Sequence, residues 1–334
     1  MEIKDIQDVK RSPNLLEFSR SLSLDTTRQI VILSKIIGEV CSICSDNAHV
    51  EMLDGKDFDL DRIVFTEHGV CPKCKQSAMQ RIQRGYSKQI SRAALEVGLR
   101  GGKNVGLALL TLYAELKLMT LTRDGVCVPA YKYYNFAEGT MLLNTWHSTS
   151  MVVAVNEYKE YVHEFRKHSK QHKAYLSVLD YASNIIGKPL YELTESIFVD
   201  HRAGFTSMPE YNDIRGVRGK TRFFTAINDL AWSEDCDQTK LWNACDIGSK
   251  TMQMAARHAL SPADEVFGGT VVLLSSRRDR SDVFNAIDVD YKTYKASFAS
   301  WEFNNAHPQF NRQSLDAEYV KDPARAARDF ENVV

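Results

Sequence analysis

Apolar positions along this chain fall into patterns that each predict a different element. In "RQIVILSKIIGEV" (28–40), Ile30, Ile32, Leu33, Ile36 and Ile37 recur at helical spacing and predict a packed helix. A second helix is expected from about Asn104, because Val105, Leu109, Leu112 and Leu116 repeat with the same period. It follows the short apolar stretch "AALEV" and a knot of glycines, giving the order strand, glycine loop, helix. Two later runs, "RFFTAIND" ending at Asp229 and "TVVLLSS" ending at Ser276, are short and continuously apolar, as buried strands are. Residues 150–200 read as helical. Short apolar strands separated by helical segments predict an α/β fold with a mostly parallel sheet covered by helices on both faces.

Cysteine spacing adds a second module. Four of the seven cysteines form the pairs Cys41/Cys44 and Cys71/Cys74, with 26 residues between the pairs. Two C-x2-C knuckles can share one tetrahedral Zn²⁺, a closed and therefore structural site. The intervening stretch carries one strand-like run, "RIVF", and is expected to form a small hairpin. His49 and His68 lie between the pairs and are read as bystanders, since four thiols already complete the set. The expected division is an N-terminal helical segment with a four-cysteine zinc knuckle over residues 1–85, and an α/β domain over 86–334.

Composition changes little. Hydrophobic residues at 44% and charged residues at 25% are ordinary for a folded chain, and the formal net charge of −1 provides no global attraction for nucleic acid. Contacts with DNA would need local basic clusters such as "RKHSKQHK" (166–173) or "SSRRDRSD" (275–282), although most charge runs are solvated faces. No apolar run approaches the ~20 residues that span a bilayer, and the opening "MEIKDIQDVKRSPN" lacks the order of a secretory signal, so an intracellular protein without a membrane partner is expected.

The stretch "VGLRGGKNVG" (97–106) carries the candidate chemistry. Gly98, Gly101, Gly102 and Lys103 precede the helix, where backbone N–H groups and a lysine can surround phosphates. The pattern G-x-x-x-x-G-K-[ST] is imperfect: Val97 stands at the first glycine, and Asn104 stands where a hydroxyl would reach Mg²⁺. Taken alone, the loop is a weak signal, and a plain glycine turn is the safer reading. A strand ending in acids is the second requirement of an NTPase, and "FFTAINDLAW" ends its apolar run at Asn228 and Asp229.

Together these segments resemble the large terminase subunits of tailed bacteriophages, the motors that package DNA. "VRGKTR" (217–222) stands before "FFTAINDLAW"; "TVVLLSSRRDRSDVF" is similar to the family's coupling strand; "SWEFNNAHP" and "YVKDPARAARDFENVV" are similar to the segments that close its ATPase domain. The resemblance covers roughly residues 40–334 in order, and a zinc knuckle ahead of the loop occurs in some members. It implies a P-loop NTPase fold of the ASCE, RecA-like kind, ATP and Mg²⁺ as cofactors beside structural Zn²⁺, and hydrolysis coupled to translocation of double-stranded DNA into a procapsid.

By matching position, the resemblance implies that Lys103 binds the β and γ phosphates, Arg100 senses the γ-phosphate, Asp229 takes the place of the catalytic glutamate, and Ser275 and Ser276 relay nucleotide state. Tyr86 falls where such ATPases often hold adenine, and Arg218 and Arg222 could face nucleotide, a neighbouring subunit or DNA. Mg²⁺ would sit near Asn104 and Asn228, with weakened affinity because an amide replaces a carboxylate. Glu234 and Asp235, a few residues on, are candidate substitutes. Implied partners are a portal protein, a small terminase subunit and further copies of the chain in a homo-oligomeric ring, in the host-cell cytoplasm. No second cluster of acids follows residue 302, so the family's C-terminal nuclease domain is not expected in this chain. The rival reading is a zinc-containing nucleic-acid-binding or assembly protein with a degenerate, non-hydrolysing nucleotide site; a helicase is a further NTPase alternative.

Overall fold

The fold is that of a computed structural model describing residues 13–24, 27–53, 59–65, 70–77, 80, 90–123, 126–210, 220–234, 237–259, 268–279, 283–290, 292–304 and 311–333. Ten strands are described: β1 (Arg92–Val97), β2 (Thr122–Arg123), β3 (Val126–Cys127), β4 (Leu142–His147), β5 (Tyr191–Leu193), β6 (Phe198–Asp200), β7 (Phe205–Pro209), β8 (Arg222–Asn228), β9 (Thr270–Ser275) and β10 (Thr293–Phe298). Eight of them form one sheet in the order β10-β1-β9-β8-β4-β7-β6-β5, while β2 and β3 make a separate ribbon. Pairing is parallel from β10 through to β7, and antiparallel only in the last two steps, β7–β6 and β6–β5. Every residue of β8 and of β9 is buried, which is why these strands read as continuous apolar runs rather than alternating ones.

Seven helical segments position the site: α1 (Leu15–Ser21), α2 (Thr27–Ile36), α3 (Ser42–Leu53), α4 (Lys103–Met119), α5 (Met151–Glu157), α6 (Glu164–His168) and α7 (Lys170–Ile186). Helix α4 is buried on all sides, with 14 of its 17 residues inside, because the sheet covers one face and the N-terminal helices the other. Close approach of α2 requires the absence of a side chain at Gly106, where a Cβ would press on Gln29 and touch Leu33. Glu39 ties the same layers together. Its carboxylate accepts from the Leu15 amide at 2.7 Å, lies 3.5 Å from Lys117 Nζ, and accepts from the Tyr113 hydroxyl. One apolar core therefore runs from Leu15 and Ile30 through Cys41 and Leu109 to Phe224 and Leu274.

Three expectations change. Residues 150–200 are helical only as far as Ile186: Gly187 adopts the left-handed conformation (φ 70°) and Pro189 follows, so the chain turns back as the β5–β6 hairpin. Among its described residues, the segment between the cysteine pairs carries most of helix α3 and no hairpin, and "RIVF" makes one described bridge, Val64 to Val40. The basic run 166–173 is not a solvated or DNA-facing surface throughout, because Arg166 and His172 are buried. Arg166 donates to both carboxylate oxygens of Glu115 on α4, at 2.9 and 2.6 Å, and also to the Tyr158 oxygen at 2.9 Å. His172 Nε2 lies 3.2 Å from the same carboxylate. Among the described residues, no helix is long and apolar enough to cross a membrane.

Burial opposes ionisation of Glu115, but the Arg166 guanidinium and His172 hold its carboxyl down to about 2. Burial lowers the His172 imidazole despite Glu115, so it is neutral in the fold. Both shifts make the unfolded chain bind more protons as pH falls, the histidine below its ordinary pKa of about 6.5 and the glutamate between about 4.3 and 2. Denaturant titrations should therefore show stability declining from pH 6.5 downward. At pH 7, Glu115→Ala should cost about 3–5 kcal/mol by leaving Arg166 buried without its carboxylate; a loss below about 1 kcal/mol would show that the pair does not support the fold.

Candidate functional site

Parallel strands bring all their carboxyl ends to one edge, and ligands of open α/β sheets bind there. At this edge β1 ends at Val97, β9 at Ser275, β8 at Asn228 and β4 at His147. The glycine loop leaves β1 and enters α4 at Lys103, while β9 separates β1 from the acid-bearing β8.

The loop is tight and held from outside. Gly101 N–H donates to the Gly98 carbonyl at 3.1 Å, and both Arg100 (φ 66°) and Gly102 (φ 79°) are left-handed. Arg100 is therefore a strained non-glycine position, a conformation that costs about 1–2 kcal/mol. A Cβ at Gly98 would collide with the Phe330 carbonyl, since helix α8 (Pro323–Glu331) packs its last turn against the loop. Its Asp329 carbonyl accepts from Leu99 N–H at 2.6 Å, and Gln29 from α2 donates to the Gly102 carbonyl at 2.9 Å. No side chain caps α4. The first amides of a helix have no intrahelical acceptor, the arrangement that attracts an anion.

Lys103 opens the helix, is 7% exposed, and places its Nζ 3.3 Å from Asp229 Oδ1. Asp229 follows the last residue of β8 and is left-handed (φ 49°), which kinks the chain into the turn Leu230–Trp232. Its Oδ1 also accepts from Ser276 N–H at 3.3 Å, and Ser275 Oγ accepts from Ala231 N–H at 3.3 Å. The structure thus brings together Lys103, Asn104, Asn228, Asp229, Ser275 and Ser276. Arg100 and Leu99 line a cleft of about 300 Å³ with Lys321, Asp322, Arg325 and Phe330. Tyr86, Arg218, His68 and Asp235 lie outside the described residues.

Sequence reasoning missed the acid at the centre. Glu157, the last residue of α5, accepts from Asn228 Nδ2 at 2.8 Å and from Trp146 Nε1 at 3.1 Å, and its Oε1 lies 3.5 Å from Asn104 Nδ2. Burial raises its carboxyl pKa against hydrogen bonds from Trp146, Ser148 and Asn228, and the Asp229 charge adds to the rise. Glu157 is carried by the helix that follows β4 ("LLNTWH"), which Ser150 caps by accepting from Val153 N–H.

Arg222 is fully buried inside the fold. It donates to Thr145 Oγ1 at 2.7 Å and lies 2.5 Å from Glu210, which follows β7. Arg277 is 3.7 Å from Glu96, and Arg278 pairs with Glu234 at 3.0 Å, so two arginines of the second basic run and one candidate substitute acid are engaged within the fold.

The side chains about Asn228 offer hard oxygen ligands, as Mg²⁺ prefers. Asn228 Oδ1 is buried and without a hydrogen-bond partner among the described residues, an oxygen that a cation would satisfy. Zinc is tested by the cysteines: Sγ of Cys41, Cys44, Cys71 and Cys74 all lie within 4.8 Å of one another, with Cys41–Cys74 at 3.7 Å and Cys44–Cys71 at 3.9 Å. Tetrahedral Zn–S bonds of about 2.3 Å place sulfurs about 3.8 Å apart. The four cysteines fit Zn²⁺. His49 stays apart, its ring edge-on to Phe298 and its Nε2 3.3 Å from the Glu302 carbonyl.

No protein-family model matches the chain, and no curated protein matches it. Among solved structures, the fold is similar to ATPase domains of phage large terminases. The Thermus phage P74-26 large terminase ATPase domain aligns at 9% identity and TM-score 0.41, covering 72% of this chain and 87% of that one. A mutant of that domain aligns at 10% identity and TM-score 0.40, covering 72% and 88%. The bacteriophage HK97 large terminase aligns at 10% identity and TM-score 0.43, covering 79% of this chain and 52% of that one.

The purified protein should carry about one zinc per chain by elemental analysis. Cys44→Ser should lower zinc content and melting temperature together; a wild-type chain that folds zinc-free with unchanged melting would refute the centre.

Proposed function

We propose that the protein is an ATP-hydrolysing motor of viral DNA packaging, which transfers the γ-phosphoryl group of ATP to water and couples that step to translocation of double-stranded DNA into a procapsid. The observation that carries the ATPase reading is the 3.3 Å contact of Lys103 with Asp229, where the uncapped start of α4 meets the ends of β8 and β9. Incoming phosphates would draw Lys103 and the first amides of α4 onto the β and γ oxygens. Asp229, released from the lysine, would then orient the attacking water. Bound Mg²⁺ would neutralise charge on the phosphate oxygens, with Asn104 and Asn228 the side chains placed to hold it.

Ser276 N–H on the Asp229 carboxylate, and Ser275 on the turn after it, give β9 a direct connection to the occupancy of the site. In this reading Arg100 senses the γ-phosphate from a strained turn that the C-terminal helix braces. The packaging role rests on the ordered motifs of residues 40–334, and with it come the partners: DNA, a portal protein, a small terminase subunit and further copies in a ring, in the host-cell cytoplasm.

Mg²⁺-dependent phosphate release by the purified chain is the test. Asp229→Ala should lower turnover by about 10²-fold or more. Lys103→Ala should weaken nucleotide binding about 10- to 100-fold, the worth of one charge-assisted contact. Nucleotide binding without turnover, even with portal and DNA present, would favour a zinc-containing nucleic-acid-binding or assembly protein instead.

A further inference from the structure

The two positions from which this site would manage a divalent cation are both asparagines, and both turn their amide nitrogens to one oxygen, Glu157 Oε1, at 3.5 Å from Asn104 and 2.8 Å from Asn228. With its nitrogen so committed, Asn228 leaves Oδ1 fully buried and without a hydrogen-bond partner among the described residues. Asp229 is already engaged by Lys103 and by Ser276 N–H. Sites that bind Mg²⁺ with a substrate phosphate supply one or two carboxylates, and Glu157 is the described acid that joins both asparagines.

We propose that Glu157 supplies the carboxylate of the divalent-cation centre, replacing from helix α5 the acid that β8 lacks, with Asn104 and Asn228 contributing amide oxygens. This deepens the nucleotide reading above and rests on it for the phosphate ligands, though not for the protein ligands. The placement is built rather than incidental. Trp146 at the end of β4 holds Oε2 at 3.1 Å. Glu157 is also the residue at which the helix changes to a π turn over Tyr158–His163, an irregularity frequent at functional sites. The next side chain, Tyr158, is fully buried, donates to the Ser207 carbonyl at 2.9 Å and accepts from Arg166, so the backbone beside Glu157 is pinned to β7 and α6. Glu157 and Asp229 together give the site two carboxylates, the number that a strand ending in two acids would have provided.

The test uses Mn²⁺ as probe, read by electron paramagnetic resonance on the full chain with and without the β,γ-imido analogue of ATP. Glu157→Gln keeps the shape and the Trp146 bond while removing the charge. It should weaken Mn²⁺ binding about 10- to 100-fold. Adding Asn228→Asp to that variant returns a carboxylate to β8 and should recover at least about tenfold of the loss. Glu157→Asp, which retains the charge, should lose less than Glu157→Gln. Mn²⁺ affinity unaltered by Glu157→Gln, no recovery by Asn228→Asp, or equal loss in the Asp and Gln variants with a lowered melting temperature would each overturn the proposal. Mn²⁺ binding that depends on Glu157 in a chain that binds no nucleotide would support the metal centre and sink the ATPase reading, so the two fail separately.

Discussion

Glu115 and Arg166 meet inside the protein with neither side chain exposed by more than 2%, and this ion pair fixes the two helical elements between which the candidate site lies. One partner sits in the body of α4, whose first residue is Lys103; the other follows the π turn that begins after Glu157. Taking two charges out of water costs several kcal/mol for each unless geometry and additional hydrogen bonds offset it. Here the guanidinium uses two donors on the carboxylate and a third contact on Tyr158, and His172 approaches from α7. The result is a fixed spacing between the loop lysine and the Glu157 carboxylate, set from below by groups that touch neither.

A second constraint acts on the loop from the other side. Its amides and carbonyls are bound by α2 through Gln29, by Ser300, and by the last turn of α8, while the lysine faces the sheet edge. Strain at Arg100 persists because these contacts over-determine the turn. The four-cysteine module joins the same framework through Glu39, whose backbone accepts from Phe65 N–H and whose carboxylate reaches α4. Loop, four-cysteine module and C-terminal helix are thereby one packed assembly.

Much of this was legible in the residues. Doubled C-x2-C spacing foretold the cysteine cluster, and the buried strands β1, β8 and β9 announced themselves as apolar runs leading to glycines, an aspartate and two serines. Strands β4, β7 and β10 did not, because each mixes polar residues such as Asn144, Ser207 and Lys295 into a short stretch. Charge was the hardest to read. Arg166 and Arg222 look like surface cations in sequence, yet each is buried against an acid, Glu115 or Glu210, that only folding brings near, and His172 is buried beside the same Glu115. Glu157 was invisible for the same reason: nothing within the local sequence marks it as the neighbour of residues 104 and 228.

The strand order also governs how the protein can be made. β1, which carries the loop, pairs with β9 and β10, and these lie far downstream in the chain. A ribosome adding ~5–20 residues per second would keep β1 waiting on the order of ten seconds or more before either partner emerged. Through that interval the apolar stretch 92–97 lacks both of its sheet neighbours. The candidate site is therefore completed late in synthesis, when the last parallel strands close around the first.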